Sequence, residues 1–183
     1  MKKMVITVLG RDRPGIIAAV SRTLCENQCN IEDVNQTTLQ TEFVGIFIAA
    51  APDGLSENQL RTRLQERLTP MELAVVLKPM QEAGDWVAPT SEPFVITTLG
   101  PDRLGLVAGI TEILARFEIN ITKLRAVFRG GSDPHRNIMI YEVDVPVAID
   151  RRAFRTALQE RAAELGLDIS LQHRDVFETI HRV

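Results

Sequence analysis

A chain of 183 residues that is 45% apolar and 25% charged has an ordinary globular composition, long enough for one large domain or two small ones. Its formal net charge of −3, with basic and acidic residues interspersed, leaves no electrostatic footprint for nucleic acid. No apolar run approaches the roughly 18–20 residues of a membrane span, and the opening MKKMVITVLG reads as a first strand rather than a signal peptide.

The β-branched stretch 3–10 predicts that first strand, ending at Gly10. From Pro14 the period changes to a helical one, with Ile17, Val20 and Leu24 on one face and Pro14 suited to the first turn, where its missing N–H costs nothing. Cys25 and Cys29 are the only cysteines, and their spacing argues against a disulfide. They read as small core-facing fillers in a reducing, cytoplasmic protein. Asn30 marks the turn into a second strand, EFVGIFIAAAP a third, Leu60, Leu64 and Leu68 the apolar stripe of a second helix, and ELAVVLK a closing strand.

The chain then starts again. Without a gap, 5–36 aligns on 95–126, with Val5/Val95, Ile6/Ile96, Thr7/Thr97, Leu9/Leu99, Gly10/Gly100, Asp12/Asp102, Arg13/Arg103, Gly15/Gly105, Ala18/Ala108, Leu24/Leu114, Asn30/Asn120 and Ile31/Ile121 identical. In the second copy Val107, Ile110, Leu114 and Phe117 form the helical face. NIMIYEVDVPV is the third strand, with Met139, Tyr141, Val143, Val145 and Val147 alternating inward. GGSDPHRN before it is a long hairpin connection particular to this copy. Phe154, Leu158, Ala162 and Leu165 stripe its second helix, and LDISLQH closes it. The order βαββαβ, twice, predicts an α+β protein of two ferredoxin-like domains, each an antiparallel four-stranded sheet with both helices on one face. The divisions are 1–79, a linker 80–92 holding Trp86, a second domain 93–175, and a tail 176–183 where Val176, Ile180 and Val183 fall at helical spacing. Trp86 is expected to pack against a domain, and the bare sheet faces need cover, which oligomerisation supplies.

The opening DRPG, an amphipathic helix and then NI, repeated as DRLG and NI, resembles the ACT family of small-molecule-sensing regulatory domains. The tandem arrangement at this length is similar to the glycine cleavage system transcriptional repressor family, and the GPDRxG opening also resembles the first domain of formyltetrahydrofolate deformylases. The resemblance implies an amino-acid site between two domains, built from the loop after the first strand, the first helix's N-terminus and the asparagine opening the second strand. By position it comprises Asp12, Arg13, Gly15, Ile16, Asn30 and Ile31, with Asp102, Arg103, Gly105, Leu106, Asn120 and Ile121 as equivalents.

Physical chemistry supports such a site and also offers plainer roles. A helix N-terminus suits a carboxylate, and a glycine lets a ligand approach the backbone. An aspartate at positions 12 and 102 either pairs with a ligand ammonium or caps the helix and takes the N–H groups itself. Asparagines 30 and 120 either bind a ligand or supply the left-handed residue that ends a helix.

Other chemistry is missing. GRDRPG has P-loop glycines, but Ile16 and Ile17 stand where Lys and Ser or Thr belong, and GxGxxG is absent. A zinc site needs about four ligands, whereas His135, His173 and His181 lie in the half without cysteines. No nucleophile elbow or HExxH is present. The arginines of RTRLQER and RRAFRTALQER fall opposite the apolar stripes and read as solvated faces. The expectation is a regulator without catalysis, cofactor or metal, homo-oligomeric, sensing an amino acid such as glycine. It would reach transcription through a DNA-binding partner, or metabolism through an enzyme, with no direct nucleic-acid or membrane contact. The opposing reading is an interaction or oligomerisation module without a ligand. A third is the detached regulatory subunit of a folate or amino-acid enzyme.

Overall fold

The computed structural model describes residues 2–80, 89–127 and 137–181 and divides the chain into two compact units, 1–86 and 87–183. The linker tryptophan Trp86, His135 and most of the GGSDPHRN connection lie outside the described residues.

In the first unit β1 (Lys2–Arg11), α1 (Ile16–Glu26), β2 (Asn30–Leu39), β3 (Glu42–Ala51), α2 (Glu57–Leu68) and β4 (Ala74–Pro79) follow in order. Every strand pairing is antiparallel, in the order β2-β3-β1-β4, as the repeat predicts. Alternation sets the face. Met4, Ile6 and Val8 point into the core, where Phe47 meets Val20 and Leu24 of α1 and Leu60, Leu64 and Leu68 of α2. The second unit repeats this with β5 (Ser91–Gly100), α3 (Leu106–Arg116), β6 (Asn120–Val127), β7 (Asn137–Pro146), α4 (Arg151–Glu164) and β8 (Asp168–His173), in the order β6-β7-β5-β8. Its core gathers Ile96, Ile110, Leu114, Tyr141, Phe154 and Leu158. Tyr141 takes Phe47's place; its hydroxyl donates to Met139 Sδ at 3.4 Å, and burial pushes the phenol up to about 12. A terminal helix, α5 (Arg174–His181), follows, with Val176 on its exposed side. The outer strands β2 and β6 carry a matching register shift, between Ile31 and Asp33 and between Ile121 and Lys123.

Several local expectations are corrected. Helix α1 begins at Ile16, after Gly15 at φ 98°, so Pro14 precedes the helix. Its inward stripe is Ile16, Val20 and Leu24, with Thr23, and Ile17 is exposed. Val147 lies beyond the end of β7 and is exposed as well. The left-handed residues closing α1 and α3 are Gln28 (φ 56°) and Glu118 (φ 54°), not the asparagines. Cys29 N–H donates to Leu24 O at 2.9 Å and Gln28 N–H to Cys25 O at 2.9 Å, a Schellman ending, and Ile119 and Glu118 repeat it on Leu114 and Ala115. This ending buries Cys29 beside Leu24, whereas Cys25 is exposed, so one cysteine of the two fills the core.

The repeated glycines at the ends of β1 and β5 have a steric cause. A Cβ on Gly10 would stand 2.9 Å from Glu72 O and 2.8 Å from Leu73 Cδ2; on Gly100, 2.9 Å from Gly166 O and 2.7 Å from Leu167 Cδ2. The approach to β4 and β8 therefore admits no side chain.

Candidate functional site

The joint between first strand and first helix is built alike in both units. Gly15 and Gly105 sit in the left-handed region, at φ 98° and 86°, and no side chain caps the helix that follows either one. The second helices differ. Ser56 and Gln59 form a reciprocal capping box on α2, and Asp150 accepts from the Arg152 and Ala153 N–H groups of α4. Helices α2 and α4 are thus closed by a polar side chain, whereas α1 and α3 keep open N-termini with their partial positive charge.

The capping role for the joint aspartates is overturned. Asp12 is drawn toward β2, where Thr38 Oγ1 donates to its Oδ2 at 3.3 Å, while its own N–H donates to Thr41 O at 2.8 Å. Arg13 turns the other way, its Nη2 lying 3.4 Å from Glu72 Oε2. Asp12, Arg13, Gly15 and Ile16 border a cavity of about 250 Å³ together with Gln36, Thr38 and Phe43.

At the second joint Asp102, Arg103, Gly105 and Leu106 line a broad depression of about 620 Å³, with Leu104 fully exposed at its rim in the place of Pro14. Asn137 Nδ2 donates to Asp102 Oδ1 at 3.4 Å. Arg103 lies against Gly166, where a Cβ would stand 3.0 Å from its Nη2. Two polar side chains are buried near this joint. Asn137 is 3% exposed and Thr98 is fully buried, and Asn137 Oδ1 and Thr98 Oγ1 have no hydrogen-bond partner. Register and repeat put Phe43 and Val8 at those positions in the first unit. Unpaired buried oxygens are costly, so these two set the second unit apart from the first.

Asn30 and Asn120 are not brought to this place. Asn30 pairs with Ala50, level with Lys3, whereas the joint lies beside Phe43. Seven strand residues separate the two levels, about 23 Å at about 3.3 Å per residue. Asn120 pairs with Asp144, level with Pro93 and far from Gly100. Ile31 packs on the core from that distant end, and Ile121 does the same. A ligand at a joint is thus out of reach of the same unit's asparagine.

The residues that motif reasoning missed are Gln36, Thr38, Thr98 and Asn137. Thr98 had a signal, since it faces Val8 in the gapless alignment. The others come from strand register. Chemically, each joint offers N–H donors for an anion beside a carboxylate for a cation, a complement to a zwitterion. Among the described residues no group of three or more His, Cys, Asp or Glu side chains is placed to hold a metal ion. No described helix is long and apolar enough to cross a membrane.

Known proteins add the following. The model of the ACT domain family matches residues 2–78 and again 92–172. A UPF0237 protein of Methanosarcina acetivorans is 35% identical over 95 residues, covering 51% of this chain and 99% of its own length. One from Methanopyrus kandleri is 38% identical over 90 residues, covering 49% of this chain and 96% of its own. Among solved structures, a protein of unknown function from Galdieria sulphuraria superposes with a TM-score of 0.76 at 22% identity, over 94% of this chain and 98% of that one. A candidate glycine cleavage system transcriptional repressor superposes with a TM-score of 0.68 at 22% identity, over 93% and 96%. These two likenesses establish the tandem fold.

Proposed function

With both halves matching its domain, the chain belongs to the ACT domain family, and from that premise we propose that it is a non-catalytic regulator that senses a small amino acid at its strand-to-helix joints. The observation that carries this reading is the pair of open helix ends, each with an aspartate held beside it rather than over it. A ligand carboxylate would take the N–H groups of the first turn, and its ammonium would face Asp12 or Asp102. The second joint is the stronger site, because its wider depression is backed by Asn137, which bonds Asp102 and leaves its own Oδ1 unpaired. Glycine is the first ligand to try, given the likeness to a candidate glycine cleavage repressor. The signal would pass to a protein partner, a DNA-binding regulator or an enzyme, since the net charge of −3 does not suit direct contact with DNA.

Thermal melts against single amino acids test this. A ligand at about 100 times its dissociation constant adds about 2.7 kcal/mol, a rise of several degrees. A selective rise that disappears in Asp102→Ala is the expected result; no rise with any amino acid overturns the reading.

A second reading, assembly without a ligand, draws on the sheet face turned away from the helices. Ile46 and Val76 flank Thr7 there, with Leu9 close by, and the three apolar residues are 45%, 64% and 47% exposed. Sedimentation velocity separates the readings: a ligand-independent oligomer broken by Ile46→Glu favours assembly, whereas a mass that changes with amino acid favours sensing.

A further inference from the structure

The two units differ most informatively where the second helix meets the sheet. The apolar stripes align Leu60 with Phe154 and Leu64 with Leu158, so Glu57 corresponds to Arg151 and Arg61 to Arg155. In the first unit, Arg61 Nη2 donates to Glu57 Oε1 and to the carbonyl oxygen of Leu77, the latter at 3.2 Å. That side chain lies across the gap between α2 and β4, and Met4 and Leu77 beneath are each 3% exposed. The slot is shut by an ion pair within one helix.

The second unit has lost the latch. Arg151 stands where the carboxylate was, and like charge there repels Arg155. Arg151 turns to Glu92, with Nη2 2.9 Å from Oε2, and its guanidinium carbon lies 5.9 Å from the Phe94 ring centre. Arg155 is exposed and has no hydrogen bond or ion pair among the described residues. Phe94 and Leu171, in the places of Met4 and Leu77, are only half-buried. With Val145, Phe154, Arg151 and Arg155 they line a cavity of about 260 Å³.

We propose that this cavity binds a small monocarboxylate with an apolar body, the carboxylate held by Arg155 and the body laid against Phe94, Phe154 and Leu171. The ligand would bring from outside the carboxylate that Glu57 brings from within in the first unit. A guanidinium holds a carboxylate through two parallel N–H donors, and half-buried Phe94 and Leu171 gain by losing water. One negative charge suits the site, because Arg151 already has Glu92 and a second anion would meet that carboxylate. The volume admits a molecule of about one ring and a short acid arm. This site shares no residue with either joint and stands apart from the amino-acid reading.

Calorimetric titration of the full chain with phenylacetate tests the proposal, with acetate supplying the charge alone and 2-phenylethanol the body alone. The expected result is one phenylacetate per chain, bound at least tenfold more tightly than either control. Arg155→Gln should weaken binding at least tenfold. Arg151→Glu should abolish it by rebuilding the latch, while any amino-acid response of the joints persists. Binding that both variants leave unchanged, or that 2-phenylethanol matches, overturns the proposal. So does loss of binding in Asp102→Ala, or no binding at millimolar phenylacetate.

Discussion

Asp12 and Asp102 stand three residues before the glycines that open α1 and α3, and each bonds sideways, to Thr38 and to Asn137. Because neither closes a helix, Asp12→Ala should change the unfolding free energy in urea by less than about 0.5 kcal/mol, as an ordinary surface substitution does. The same change should remove any amino-acid response of that joint. Nearby glycines differ from one another in kind. Gly10→Ala forces a methyl group against the Glu72 carbonyl and should cost about 1–3 kcal/mol as an overpacked contact. Gly15→Ala meets nothing within 4 Å and carries only the strain of φ 98°, about 1–2 kcal/mol. Chemical denaturation of the two variants should rank them in that order, and the reverse order would contradict the close approach of β4.

The helices separate what composition shows from what only register shows. Ser56→Ala and Asp150→Ala should each cost about 1 kcal/mol, since both oxygens accept from first-turn N–H groups. Urea midpoints would measure this directly, and a neutral Asp150→Ala would remove the contrast with the open helices. The elements themselves were legible because a period of two or of 3.6 leaves a mark on one chain. Met139, Tyr141 and Val143 alternate, Leu60, Leu64 and Leu68 recur, and the gapless repeat doubles every such mark. The joint was legible as a motif. Its surroundings were not, because Thr38 reaches Asp12, and Asn137 reaches Asp102, across strand pairings that no local pattern states. The same limit explains the error over Asn30. Adjacent in a family motif, it begins a strand that runs back, so its level on the sheet is that of Lys3.

At the scale of the chain, each unit encloses its own core, and no described residue belongs to both. Leu64→Ala should therefore cost about 2–5 kcal/mol in the first unit. Hydrogen exchange should show protection falling in β1 and β3 while β5 and β7 keep theirs; an equal fall in all four would mean the cores unfold as one. Duplication has also let the copies drift apart, with Phe43 and Val8 exchanged for Asn137 and Thr98, and Glu57 for Arg151. The outer strands, by contrast, have kept their register shift. An unpaired strand edge is a template on which further chains can grow into fibrils, and such growth needs an unbroken ladder of backbone groups. In β2 the ladder breaks beside Glu32 and Asp33, and in β6 beside Lys123. A kink with a charge set on it stops a neighbouring strand from zipping along the full length. The paired shifts fall at the end of β2 and β6 away from the joint, so a strand adding to either outer edge would meet the bend there and leave the joint untouched.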